Sequence, residues 1–280
     1  MLAPIVSISW LNQHLSDGDL VVLDGSIQEN ISDLTPSYTD IQIKGARYFD
    51  IKNSFCAKDT DLPNMLPSPE EFTAECQKLG INSDSRIIVY DHLGIYSAPR
   101  VWWMFRAMGH ANVAVLDGGL PEWAKMGLPT EALGATITTT KGNFEANYQP
   151  RLVKTSVDIL DNLDKKNALV IDARSSGRFY GLIPEPRKDL KGGHVPDSLN
   201  LPYTEVLREG KFLPKEELLQ LFEHLNLGDR PLIFTCGSGL TACIILLACE
   251  LVLENHTSVY DGSWSEWGQL ENAPITGPEA

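Results

Sequence analysis

LIFTCGSGLTACIILL, residues 232–247, sets one apolar run against another, with a glycine-containing bend and a single cysteine between them. The first run, Leu232–Thr235, has the length and composition of a buried strand, and the second, from Ala242 onward, reads as a buried helix. Cys236 stands where the strand ends and the bend begins. A cysteine there is either a small core residue or a nucleophile, and the surrounding pattern has to decide.

The pattern occurs twice. RIIVYDHLGIYSA (Arg86–Ala98) aligns without gaps with PLIFTCGSGLTA (Pro231–Ala242) and places Asp91 opposite Cys236. VLDGGLPEW (Val115–Trp123) answers VYDGSWSEW (Val259–Trp267), the register slipping by one residue. Upstream, VVLDGS (Val21–Ser26) answers LVIDAR (Leu169–Arg174), and IQIKGARYFDI more loosely answers GHVPDSLNLPY. Matches that recur in one order mean a duplicated unit. GATITTTKGNFEANYQP (Gly134–Pro150), rich in Thr, Gly and Asn, reads as the connection. The expected organisation is therefore a first domain over 1–135, a linker over 136–150 and a second domain over 151–280.

Each half alternates short apolar runs, at 20–24, 87–90 and 113–116 and then at 168–172, 232–235 and 257–260, with amphipathic segments. SPEEFTAECQKLG and PKEELLQLFEHLNLG open on Pro and acids and close on Gly, as helix termini prefer. Strands buried on both faces and alternating with helices give an α/β fold, each half a mainly parallel sheet flanked by helices.

Bulk properties narrow the function. A formal charge of −14 disfavours nucleic acid and acidic membrane surfaces as partners. No run approaches the roughly 18 apolar residues of a membrane span, and the start, MLAPIVSISWLNQHL, lacks a basic flank and a cleavage site. Five cysteines (Cys56, Cys76, Cys236, Cys243, Cys249) form no CxxC pair, so no disulfide framework, zinc site or other metal site is expected. These readings place the chain in the cytoplasm with reduced thiols and no cofactor.

The bend Gly237–Thr241 is a candidate anion nest, because Gly237 and Gly239 allow a tight curl with inward N–H groups. A helix starting near Thr241 adds the positive end of its dipole, so a thiolate is favoured at Cys236. Phosphatases with a C-x5-R loop need an arginine six residues after the cysteine; here that place is Ala242. The bend suits a smaller anionic product instead, such as one sulfur atom carried by the cysteine.

The chain resembles the tandem-domain rhodanese-fold sulfurtransferases, and within them the 3-mercaptopyruvate sulfurtransferase family. The resemblance is carried by CGSGLTA, by D-G-x-x-x-E-W in both halves, by GRFYG with EPR, by GHVPDSLNLP and by MLPSPEEF. It implies that the first half is inactive, with Asp91 in the nucleophile's place, and that the second half is catalytic. Cys236 is the expected nucleophile, with Gly237, Gly239, Leu240 and Thr241 lining the persulfide. Ser238 either orients the donor, relays a proton, or contributes its backbone alone. The family's substrate-binding arginines map onto Arg178 and Arg187, whose planar guanidiniums suit a keto acid's carboxylate. Arg174 is expected in an internal ion pair, and Lys188 and Lys191 at the surface.

The implied reaction moves sulfur from 3-mercaptopyruvate to a thiol, thioredoxin or a small thiol, by way of a Cys236 persulfide with release of pyruvate. The chain is expected to act as a monomer. Related thiosulfate sulfurtransferases carry basic side chains in this loop; C-G-S-G-L-T is uncharged, which favours mercaptopyruvate. Thiosulfate:cyanide sulfur transfer and a sulfur-carrier or docking module are the alternatives. A Ser-His-Asp relay proposed for some members is not matched, because Asn64 precedes MLPSP and Lys52 stands near the aspartate's place. Cys243 is expected in the core, His194 in a structural turn, and Trp123 and Trp267 in packing; Cys56 precedes a polar loop, AKDTDLP, and an exposed oxidation site there is the minor reading.

Overall fold

A computed structural model describes residues 2–28, 30, 32, 34–135 and 137–277; Thr136, the first residue of the expected linker, lies outside the described residues, as do Met1 and the last residues of the expected second domain. The chain forms two units. One comprises Met1–Lys58, Leu66–Gln149 and Glu209–Phe212, and the other Asp59–Met65, Pro150–Arg208 and Leu213–Ala280. Residues 137–149 thus pack with the first unit: Gly142 donates to Gln77, Phe144 to Ile81 and Asn147 to Met108 through their backbones.

In the first unit the main sheet contains β1 (Ile5–Val6), β2 (Leu20–Asp24), β3 (Arg47–Tyr48), β4 (Arg86–Tyr90) and β5 (Val113–Leu116). They lie in the order β1-β5-β4-β2-β3, every pairing parallel. The second unit contains β6 (Val153–Lys154), β7 (Leu169–Asp172), β8 (Leu199–Asn200), β9 (Leu232–Thr235) and β10 (Thr257–Tyr260). Their order, β6-β10-β9-β7-β8, repeats the first sheet strand for strand, again all parallel. The duplication read from the sequence is therefore a duplication of topology.

The expected strands appear within a residue of their sequence boundaries because each is apolar enough to be buried on both faces. Val21–Asp24, Ile87–Tyr90, Val113–Leu116 and Leu169–Asp172 are all buried. Apart from the connection between β2 and β3, each crossover contains a helix among the described residues. Pro69–Lys78 starts at Ser68, whose hydroxyl accepts the Glu71 amide while the Glu71 carboxylate accepts the Ser68 amide. Ala242–Glu250 is buried over Ala242–Cys249, and only an apolar helix all round can occupy such a place.

Trp123 and Trp267 are fully buried in their respective cores, and each indole N–H donates to a proline carbonyl, of Pro129 and Pro274. Packing is their role, as their matched motifs predict. Among the described residues no helix is long and apolar enough to cross a membrane.

Candidate active site

Cys236 lies immediately after β9 at 2 % exposure, and the bend to Thr241 delivers the chain into the helix Ala242–Glu250. One of the bend's two glycines is required there. Gly239 has φ 73°, in the left-handed region. A Cβ on Gly237 would lie 2.9 Å from Arg178 Nη2, so the guanidinium rests directly against the bend.

The short helix Ser263–Trp267 fastens the bend to the next strand. Ser263 Oγ accepts the Cys236 amide at 3.3 Å, and the Trp264 amide donates to the Cys236 carbonyl at 2.9 Å. Ser265 donates to the Gly237 carbonyl through its amide at 2.9 Å and through its hydroxyl at 2.6 Å. Both peptide groups of Cys236 are thereby fixed, with hydrogen bonds sheltered from water.

The first unit shows what such a bend holds. Asp91, 1 % exposed, accepts the amides of Tyr96, Ser97 and Ala98 at Oδ2 (2.8, 2.9 and 2.9 Å) and that of Leu93 at Oδ1 (2.9 Å). Burial pushes this carboxyl above its usual range, against the pull of those amides. In the repeat register Leu93 and Tyr96 correspond to Ser238 and Thr241. Among the described residues neither the Ser238 nor the Thr241 amide donates to a protein acceptor.

Arginines close the other side. Arg174 is fully buried, bonded to Asp172 through Nε and Nη2 and to Glu185 at 2.8 Å through Nη1, and its guanidinium stacks 4.2 Å from the Trp264 ring centroid. It is the internal ion pair the sequence predicts. Glu185 also takes Arg178, at 3.2 Å through Nε and 2.5 Å through Nη2. Arg178 therefore faces the Gly237 bend with one edge already bound to a carboxylate. Arg187 donates to Ser265 Oγ at 3.1 Å; burial lowers its pKa first, and the neighbouring Arg178 charge lowers it further, with Cys236 and Glu185 opposing.

Asn64 belongs to the second unit and is buried; its Nδ2 donates to Ser238 Oγ at 2.9 Å and to the Ser238 carbonyl at 3.2 Å. The amide thus meets the serine where a relay histidine was sought. Cys243 is buried, its thiol donating to the Gly239 carbonyl at 3.3 Å. Cys56 is half-buried; burial raises its thiol pKa and Sγ donates to the Lys52 carbonyl at 2.9 Å. His194 stacks on Phe179 with 3.8 Å between centroids and bonds the Phe179 carbonyl at 2.9 Å. Lys188 and Lys191 are exposed.

Sequence reasoning missed Glu185, Ser263 and Ser265. Glu185 was legible only as one of three acids, with Asp172 and Asp189, among the cations of residues 172–194, and the serines only as part of a motif whose tryptophans were assigned to packing. Among the described residues no group of three His, Cys, Asp or Glu side chains comes together that could hold a metal ion.

The chain is similar to known proteins over nearly its whole length. A rhodanese-like domain matches residues 7–126 and again 155–270. The chain is 37% identical to 3-mercaptopyruvate sulfurtransferase of Escherichia coli (strain K12), over 96% of both chains. It is 38% identical to thiosulfate/3-mercaptopyruvate sulfurtransferase 2 of Arabidopsis thaliana, over 98% of this chain and 86% of that one. The crystal structure of SseA, a 3-mercaptopyruvate sulfotransferase from Escherichia coli, superposes with a TM-score of 0.80 at 35% identity, covering 95% of this chain and 100% of that one. With two rhodanese-like domains and relatives of this closeness over nearly its whole length, the chain belongs to the tandem-domain rhodanese family of 3-mercaptopyruvate sulfurtransferases, enzymes that transfer sulfur.

Proposed function

We propose that this enzyme transfers the sulfur of 3-mercaptopyruvate to a thiol acceptor through a persulfide on Cys236, with release of pyruvate. One observation carries the reading. The bend that holds a carboxylate with backbone amides at Asp91 recurs in the second unit with a cysteine in the acid's place. A persulfide anion reaches one atom beyond the cysteine sulfur, as a carboxylate oxygen does beyond its carbon, so the amides of Ser238 and Thr241 suit its charge.

The step balances as follows. The Cys236 thiolate attacks the donor's sulfur, an S–S bond forms, and the C–S bond breaks with its electron pair passing to C3 of the departing enolate. C3 gains the proton that the donor's thiol carried, which leaves pyruvate and an ionised Cys236 persulfide. Arg187 meets the donor's carboxylate, Arg178 lends positive charge from beside Gly237, and Ser238, held by Asn64, orients the donor. An acceptor thiolate then attacks the outer sulfur and restores Cys236. The first unit, with Asp91 in place of a nucleophile, has a structural role.

Thioredoxin or a small thiol is the acceptor in this reading, and the enzyme acts as a monomer in the cytoplasm, consistent with cysteines that are all free. The test is pyruvate release from 3-mercaptopyruvate with a thiol present, together with a gain of about 32 Da, one sulfur, on the Cys236 peptide when the acceptor is withheld. Sulfur on another peptide, or no pyruvate, defeats the reading. Thiosulfate is the second donor to compare, since the Arabidopsis relative's name pairs the two. The uncharged bend predicts the faster initial rate with mercaptopyruvate.

A further inference from the structure

Of the non-glycine residues with left-handed φ among those described, Lys166, Asp189, Asp197, Glu209 and Asn226 are exposed. The two buried ones are Asn64, φ 60°, and Ser263, φ 51°, and both bond to the Cys236 bend. Asparagine tolerates that conformation because its side chain bonds locally; serine has no such ease, and its Cβ crowds the following carbonyl. Strain held at a buried point over a candidate nucleophile asks for a reason.

The first unit makes the corresponding bond with a glycine, on a backbone that differs one residue earlier, where Gly118 has φ 88° and its counterpart Gly262 φ −63°. Gly119 stands in the place of Ser263, with φ 50°, and the same backbone bond follows: Leu120 donates to the Asp91 carbonyl at 3.1 Å as Trp264 does to Cys236 at 2.9 Å. Glycine makes this turn without strain. What serine adds is a hydroxyl, fully buried, which donates to the Tyr260 carbonyl at 2.8 Å and accepts the Cys236 amide and the Thr235 hydroxyl, both at 3.3 Å. The unit with a carboxylate uses glycine, and the unit with a thiol uses a strained serine.

Resting on the reading of Cys236 as the nucleophile, we propose that Ser263 is a positioning residue for sulfur transfer: its hydroxyl pins the peptide that precedes Cys236 and so aims the thiol. The Trp264 amide pins the peptide that follows. With both peptides held by one short segment, the Cα–Cβ direction of Cys236 is set before a donor arrives, and attack loses less orientational freedom. Ser263 does not touch the donor and moves no proton in the step.

Ser263→Gly and Ser263→Ala separate aim from fold. The glycine variant relieves the strained φ, which offsets part of the cost of the three buried hydrogen bonds lost with the hydroxyl, so its melting temperature should lie above that of the alanine variant. The alanine variant keeps the strain and loses only the hydroxyl. Both are expected to lose about tenfold in kcat with 3-mercaptopyruvate while KM changes less than about twofold. Iodoacetamide alkylation of Cys236, followed by peptide mass, is expected to change at least about threefold in rate, with Cys56 unaltered as the internal control. A glycine variant that keeps kcat within about twofold overturns the proposal, and so does a loss of kcat with Cys236 alkylation unchanged. If the native protein releases no pyruvate, the function proposed above fails by itself; the alkylation comparison then decides the role of Ser263.

Discussion

Asn64 Nδ2 lies 2.9 Å from Ser238 Oγ and donates to it, across a sequence separation of 174 residues. Both groups are buried, so removing either takes a sheltered hydrogen bond from the other. Asn64→Ala and Ser238→Ala should each lower kcat, and the double variant should lose less than their sum. A coupling of about 1 kcal/mol in the double-mutant cycle is expected. Additive losses would mean that the two groups act apart.

Cys236→Ser keeps the bend's shape and removes the sulfur nucleophile. Pyruvate release should fall at least about a thousandfold, and no sulfur should accumulate on the peptide. Circular dichroism checks that the fold is kept. Appreciable turnover by the folded variant would put the chemistry elsewhere.

Arg187 and Glu185 should respond differently to substitution. Arg187→Lys removes the planar fork from the carboxylate partner and should raise KM for mercaptopyruvate on the order of tenfold. Glu185→Gln, by contrast, acts on stability. It takes a carboxylate from the fully buried Arg174 and from Arg178 together, and should cost about 3 kcal/mol in urea unfolding. A glutamine variant of native stability would show that the remaining Asp172 pair is sufficient.

His92 supplies a pH test in the first unit. Its Nε2 lies 3.0 Å from Asp24 Oδ2; burial works to lower the ring's pKa, but Asp24's hydrogen bond and charge prevail, and the net direction is up. The folded state therefore binds this proton more tightly than the unfolded chain. The stabilisation is complete below the unfolded value of about 6.5 and is lost as pH rises through the folded value. Urea midpoints of the native protein and His92→Gln should differ more at about pH 5.5 than at about pH 8.5. Equal differences at both would remove the ion pair from the account.

Much of this fold was legible because its strands are buried on both faces. Runs such as Val21–Asp24 and Leu232–Thr235 carry their assignment in composition alone, and the repeat supplied the topology twice. Asp91 opposite Cys236 was legible for the same reason, since register survives when each strand is fixed by its core. Glu185 between Arg174 and Arg178 was not, because which acid bridges two arginines depends on how the intervening loop turns. Nor was the left-handed φ of Ser263, which leaves no mark in residue type; only the glycine at the matching place hints at it. At Cys56 the polar residues that follow give no guide to burial, since its sulfur bonds a carbonyl four residues earlier and is half covered.

The division into units ties the two halves of the chain together. Residues 59–65 come from the first half of the sequence and complete the second unit, bringing Asn64 to Ser238, while residues 209–212 come from the second half and complete the first. There Lys211 binds Glu122, and the Phe212 amide is received by Asp117. Each ancestral copy has lent the other a strap. Scission between the copies would leave two fragments each missing a piece of itself, so the duplication that made this enzyme is no longer reversible by a single cut.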